Sequence, residues 1–348
     1  MKTRTYLYKT YLEKKRMQMI SLLEGIGCER LCPKITPAPI EKGFRNRAKF
    51  QIFHHGNTVR IRGTDPCEGA VPFERALWIL PAWARRIARR VAACRQEFGH
   101  DFPFDGFELQ LTHGRREAHI ILSVKRVFPG LLTAYAEDML LRIPELIGVA
   151  IPSQRIELGD VYLDHRFSGK RFFAHYGSFF QSNLALTPRL LEQVAVEANN
   201  SDNESIIDLY CGVGLISLYL ANKETKILGV ESDKKSVDCA SKNAARLGFE
   251  SASFIHSRVE NFVKSALFLP NSLVIINPPR AGCDLSVITA IARQSPNNIL
   301  CVSCSLETHV RDLALWVGEG YAVASIAAFD MFPFTPFLET VTLLKRNH

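Results

Sequence analysis

From Ser205 to the C-terminus, short apolar strands alternate with helical segments, and no other feature constrains the fold as much. The strands read as Ser205 to Leu209, Lys226 to Val230, Ala252 to His256, Ser272 to Ile276, Asn298 to Val302, Ala322 to Ala328 and Thr340 to Leu344. Short runs rich in Val, Ile and Leu mark buried strands, and their alternation with helices builds a mostly parallel sheet. No helix fits between the last two, so the sheet is expected to close on an antiparallel pair. The expected class is α/β, a Rossmann-like domain with a mostly parallel seven-stranded sheet, preceded by a smaller α+β domain.

The front of the chain reads differently. A length of 348 residues exceeds one ordinary domain. Residues 10 to 24 are expected to be helical, with Lys14, Lys15 and Arg16 on a wet face. Pro33, Pro37 and Pro39 enforce an extended linker. Arg47 to His54 and Thr58 to Arg62, joined by Gly56-Asn57, read as a hairpin. Leu77 to Phe98 reads as a helix with Pro81 near its start, and Phe107 to Thr112 with Ala118 to Val124 as a second hairpin. Two hairpins and a helix make an α+β module to about residue 150, and the two domains are set at 1–170 and 171–348.

Charge separates the same two parts. Residues 1 to 100 hold 20 Lys and Arg against 8 Asp and Glu, whereas the remainder holds 23 against 27. A basic front joined to a near-neutral back suits a module that binds a polyanion such as RNA. No apolar run approaches the roughly 18 residues of a membrane span, and no signal-type run follows the basic N-terminus, so a cytoplasmic monomer is expected. The nine cysteines are odd in number and several sit in apolar runs, where Cys behaves as a small hydrophobe. Cys28 and Cys32 have a weak metal spacing with no second close pair, which argues against a zinc site.

Three motifs carry chemistry. Asp208 to Gly214 closes a strand and opens a helix; Gly212 and Gly214 permit a tight turn and close ligand approach. Glu231 ends the next strand, where a carboxylate commonly holds the ribose hydroxyls of an adenosine cofactor. Ser217 stands where a dinucleotide loop has its third glycine, which favours S-adenosylmethionine over NAD. Asn277-Pro278-Pro279-Arg280 ends the fourth strand and projects the Asn277 amide at the sheet edge. Amine methyltransferases place an aromatic after such a Pro-Pro, so Arg280 argues against an exocyclic amine target. Cys304 follows the fifth strand. The ordinary reading of a lone Cys is packing, but at a strand's carboxyl end a thiol can act as nucleophile. A pyrimidine C5 is too poor a nucleophile to take a methyl group directly, and thiolate addition at C6 activates it. The C5 proton then needs a base. Glu339, flanked by Phe337 and Leu338 at the start of the last strand, is expected to be partly desolvated, with an exposed strand-start Glu as the plainer alternative. His309 reads as a surface helix histidine.

By these segments the chain resembles the RNA 5-methyluridine (uracil-C5) methyltransferase family, class I enzymes that use S-adenosylmethionine. The matching stretches are SFFQSN (Ser178 to Asn183), DLYCGVG (Asp208 to Gly214), GVE (Gly229 to Glu231), INPPRAG (Ile276 to Gly282), VSCSLETHVRDL (Val302 to Leu313) and DMFPFTPFLE (Asp330 to Glu339). GFRNRAKF (Gly43 to Phe50) resembles a strand of the family's central domain. Carried over by position, Gln181, Tyr210, Glu231 and Asn277 would bind the cofactor along the loop of Gly212 and Gly214. Cys304 would be the nucleophile and Glu339 the proton acceptor. The subgroup it most resembles is the shorter RlmC-like enzymes, which act on 23S ribosomal RNA and lack an N-terminal TRAM domain. Those relatives hold an iron–sulfur cluster with three closely spaced N-terminal cysteines and a fourth further on. Cys67 sits near the fourth position, but the first 27 residues contain no Cys, so no cluster is expected. Cys304-Ser305-Leu306 replaces the usual Cys-Asn-Pro or Cys-Asn-Ala, and Phe334 and Phe337 stand where His is common. These departures bear on substrate positioning.

The resemblance thus implies uracil-C5 methylation of RNA through a covalent Cys–C6 adduct, on ribosomal RNA. Alternatives are a transfer RNA uracil-C5 enzyme and a catalytically silent RNA-binding or assembly factor. An RNA cytosine-C5 enzyme is disfavoured because Cys283 does not follow a proline.

Overall fold

The computed structural model describes residues 2–55, 58–65, 69–97, 104–124, 129–199 and 203–347. The Gly56-Asn57 turn, Cys67 and Phe98 lie outside them. The C-terminal strands are β1 (Ser205–Leu209), β2 (Lys226–Glu231), β3 (Ala252–His256), β4 (Ser272–Ile276), β5 (Asn298–Ser303), β6 (Tyr321–Phe329) and β7 (Glu339–Arg346). They lie in the order β6-β7-β5-β4-β1-β2-β3. β1 to β5 are parallel, and β7 pairs antiparallel with both β5 and β6. The run reverses direction at β1, whose neighbours are β4 and β2. Such a reversal leaves a crevice at the carboxyl ends of β1 and β4, where doubly wound sheets take their ligands.

The sheet has eight strands, not the seven expected. Ile35–Thr36, inside the proline-rich linker, pairs parallel with Ala328 and Phe329 of β6. Extended backbone between prolines can still offer its hydrogen-bonding groups to a sheet edge, and that is what the linker does here.

The N-terminal module is larger than the two hairpins and one helix read from sequence. Its seven strands run Gly69–Pro72, Thr58–Asp65, Arg47–His55, Phe104–Leu111, Ala118–Val124, Leu146–Ile151 and Ile156–Gly159 across the sheet. Ala118–Val124 and Leu146–Ile151 are parallel, and the helix Pro129–Arg142 makes the crossover. Leu132, Tyr135 and Met139 of this helix and Ala84, Ile87 and Val91 of the helix Ala82–Glu97 share one core with Phe50, Phe107 and Leu109. The helix expected over Leu77 to Phe98 is broken before Pro81. Leu80 is extended at ψ 146°, as a residue preceding proline prefers, so a short 3₁₀ turn over Leu77–Ile79 precedes the true helix. The hairpin Tyr162–Phe167 and Lys170–His175 packs Phe167, Phe172 and Ala174 into the core of the C-terminal domain.

The N-terminal helix spans Lys2–Glu24 and lies against the C-terminal domain. Met19 and Leu23 are buried with Leu306, Val310, Ile326 and Leu338. Burying each such side chain contributes roughly 1.5–3 kcal/mol. Lys15 is not on a wet face as expected. It is 3% exposed, and its ammonium pairs with Asp330 at 2.5 Å.

Candidate active site

The carboxyl ends of β4 and β5 and the start of β7 converge. β5 and β7 are antiparallel, and their register sets Ser303 against Thr340. The Thr340 hydroxyl donates to the Ser303 carbonyl at 3.2 Å. Cys304 is the residue after Ser303, and Glu339 the residue before Thr340. Backbone register alone therefore brings the thiol and the carboxyl to the same end of adjacent strands.

Their electrostatics are coupled. The half-buried Cys304 thiol is pushed up by burial and then by Glu339, while Arg280 pulls it down by its charge and by a hydrogen bond to the sulfur. Glu339 is 4% exposed, and burial pushes its carboxyl up to about 7 against the pull of the same Arg280. The exposed strand-start alternative for Glu339 is thus excluded. Two acids facing one cation hold one negative charge more readily than two.

Arg280 does more than stand where amine methyltransferases have an aromatic. Pro278 and Pro279 carry the chain out of β4, and the Thr308 hydroxyl holds the Arg280 carbonyl at 3.0 Å. The guanidinium lies 3.9 Å over the Phe337 ring, a cation–π contact of about 0.5–2 kcal/mol. The available signal was a cation leaving a core strand whose neighbour ends in the nucleophile. Phe337 therefore has a packing role toward Arg280. Phe334, in a left-handed backbone conformation at φ 61°, packs its ring with Tyr8, Tyr11 and Trp78. Ser305 is buried at the start of the helix Leu306–Gly318. His309 is not on the surface as expected: it is 3% exposed and bonds the Thr342 hydroxyl at 2.8 Å. Burial pushes its imidazole down to about 4.

A pocket at the carboxyl end of β1 brings together four of the expected cofactor residues, Gln181, Tyr210, Gly212 and Asn277, with Phe179 and Asp208. Gly212 sits at φ 54°, and a side chain there would meet no protein atom within 4 Å, so a ligand can lie against its backbone. Gly214 does not line the pocket. Its left-handed backbone, at φ 76°, favours glycine, and a Cβ there would crowd Leu218 at 3.0 Å and Phe254 at 3.2 Å. Glu231 stands beside the loop: its carboxylate accepts from the amides of Gly212 at 3.1 Å, Ser232 at 2.6 Å and Asp233 at 2.9 Å. Three amides fix its orientation. Tyr210, at φ 62°, gives its ring to the pocket and directs its hydroxyl to Cys283. Asp208, which sequence reading treated as part of the loop only, is 1% exposed. Burial pushes its carboxyl up to about 7, against the Ser217 hydroxyl and amide that approach it. A buried carboxyl beside open glycine backbone fits a polar ligand such as the adenosine and amino-acid ends of S-adenosylmethionine.

A family model described as tRNA (Uracil-5-)-methyltransferase matches residues 136–347. An uncharacterized RNA methyltransferase of Thermosynechococcus vestitus is 33% identical over 98% of this chain and 80% of that protein. An uncharacterized RNA methyltransferase of Caldanaerobacter subterraneus is 36% identical over 57% of this chain, and the matched stretch spans 44% of that protein. The solved tRNA (uracil-54, C5)-methyltransferase of Pyrococcus abyssi, in complex with S-adenosyl-L-homocysteine, shares the fold with a TM-score of 0.76 and 21% identity, over 97% of this chain and 83% of that one.

Proposed function

The chain belongs to the tRNA (uracil-5-)-methyltransferase family of RNA methyltransferases, and from that premise we propose that it methylates C5 of a uracil in 23S ribosomal RNA through a covalent Cys304 adduct. The observation that carries the reading is that strand register brings Cys304 and Glu339 to one sheet end, where both feel the charge of Arg280.

S-adenosylmethionine supplies an electrophilic methyl group. Gln181, Tyr210, Gly212, Glu231 and Asn277 are the residues proposed to hold it, with Asp208 added from the structure. Cys304 loses its proton to solvent and Arg280 stabilises the thiolate, which adds to C6 of the uracil; with the thiolate consumed, Glu339 ionises. The electron pair of the C5–C6 double bond becomes available at C5 to take the methyl group. Glu339 then removes the proton from C5. The electrons of that C–H bond rebuild the double bond as the C6–S bond breaks, which returns the thiolate to Arg280. A carboxyl pushed up to about 7 serves as such a base because it is more basic than a free carboxylate yet still partly ionised at neutral pH. The target base is proposed to lie in a single-stranded loop and to be flipped out toward Cys304. The proposed RNA grip of the N-terminal module rests on its surplus of basic residues and should weaken with salt.

Ribosomal RNA is proposed over transfer RNA on the resemblance of the chain to the shorter, RlmC-like enzymes. The test is mass spectrometry of 5-methyluridine in 23S and transfer RNA from cells with and without the gene. Loss of one 5-methyluridine from 23S RNA is expected. Loss from transfer RNA alone would overturn the substrate, and no loss from either would overturn the activity.

A further inference from the structure

The N-terminal helix does more than cover the sheet. Lys15 is buried, and its ammonium donates to three acceptors of one segment: Asp330 Oδ1 at 2.5 Å, the Phe332 carbonyl at 3.1 Å and the Phe337 carbonyl at 2.7 Å. Tyr8, two turns earlier, donates to the other Asp330 oxygen at 2.7 Å. The Tyr8 hydroxyl also receives the Ala38 amide at 3.0 Å, which ties in the linker. Tyr8 and Tyr11 pack on Phe334 at ring distances of 5.4 and 6.0 Å. The held segment runs from the end of β6 to Glu339. It has little regular structure of its own and contains a strained residue, Phe334 at φ 61°. An ammonium can donate three hydrogen bonds, and the contacts to Asp330, Phe332 and Phe337 all fall on this one loop.

The loop leads to the chemistry in two steps. Phe337, whose carbonyl Lys15 holds, carries Arg280 on its ring at 3.9 Å and stands two residues before Glu339. Arg280 in turn faces Cys304 and Glu339. The same helix braces the other side of the site. Gln18 donates to Glu307 at 2.7 Å, and Met19 and Leu23 pack on Leu306 and Val310, in the helix that begins just after Cys304.

We propose that Lys15 is a positioning residue: by pinning the Phe332 and Phe337 carbonyls it keeps Glu339 and Arg280 in register with Cys304 for removal of the C5 proton. The inference rests on the proposed methyl-transfer reading. A merely structural Lys15 would neutralise Asp330 and nothing more, and the two roles separate by substitution. Lys15→Met leaves Asp330 buried with its Tyr8 hydrogen bond but without a counter-charge. The double variant Lys15→Met, Asp330→Asn removes both charges but still leaves the two carbonyls without their donor.

The experiment measures turnover on unmodified RNA, KM for RNA and for S-adenosylmethionine, thermal melting, and methylated protein–RNA complex on a denaturing gel with labelled RNA and labelled methyl donor. In both variants turnover should fall about 10- to 100-fold, the size of effect that a displacement near 1 Å produces. Both KM values should stay within about threefold, and the methylated covalent complex should accumulate where wild type releases product. Recovery of wild-type turnover in the double variant would reduce Lys15 to a counter-ion and overturn the proposal. So would loss of cooperative melting in both variants, or loss of turnover without accumulation of the complex. Wild-type protein that forms no 5-methyluridine would instead overturn the underlying reading.

Discussion

Arg280 stacks on Phe337 at 3.9 Å while its charge acts on the Cys304 thiol, so an aromatic ring from one loop sets the cation that tunes the proposed nucleophile on another. Arg280→Met should leave the thiol under burial and Glu339 alone, both of which raise its pKa. Alkylation of Cys304 by iodoacetamide at pH 8 should slow by about tenfold for each unit of added shift. An unchanged alkylation rate would remove Arg280 from thiol activation.

Cys304→Ala should abolish methylation while leaving affinity for S-adenosylmethionine within a few-fold, because the thiol acts on the base. RNA carrying 5-fluorouridine offers the complementary measurement. Fluorine cannot leave as a proton, so wild type should be trapped as a stable adduct and the alanine variant should not. Equal trapping in both would sink the nucleophile assignment.

Glu339→Gln should retain addition and methyl transfer but stall elimination, and a methylated complex should build up. The same substitution has a signed effect on stability. The folded carboxyl is raised to about 7, above its unfolded value, because burial disfavours the charged form. Its protonated form is therefore tolerated at low pH, and stability is lost as pH rises through about 7. Glu339→Gln should melt above wild type at pH 8, by on the order of 1–3 kcal/mol, and this advantage should vanish near pH 5. A constant difference across that range would refute the burial account.

Glu231→Ala should weaken S-adenosylmethionine binding by about tenfold or more, since a fixed carboxylate hydrogen-bonded to a ligand is worth about 1.5–3 kcal/mol. Gly214→Ala should instead lower thermal stability through contact with Leu218 and Phe254. Calorimetric titration with the cofactor distinguishes the two.

The strands of the C-terminal sheet were legible to within a residue or two because each is a compact apolar run. The positions of Cys304 and Glu339 followed from where those strands end. Lys15 was not legible, because its partner Asp330 lies 315 residues away and a basic residue in a helix ordinarily faces water. His309 misled for a related reason: helix periodicity gives a face but not what covers it, and Thr342 of β7 covers this one. The linker strand Ile35–Thr36 was hidden because two residues carry no period, and its identity comes entirely from the free edge of β6.

The contact of Lys15 with Asp330 joins segments 315 residues apart and so sets an order of assembly during synthesis. At roughly 5–20 residues per second the helix waits on the order of 15–60 s for its partners to emerge. Until then Tyr8, Lys15, Met19 and Leu23 stand without the surface that buries them. The nascent chain can wind β1 to β5 and expose Cys304 before Glu339, the proposed base, is made. Under those proposed roles the site is completed only when the segment from Asp330 to Glu339 meets the helix that holds it.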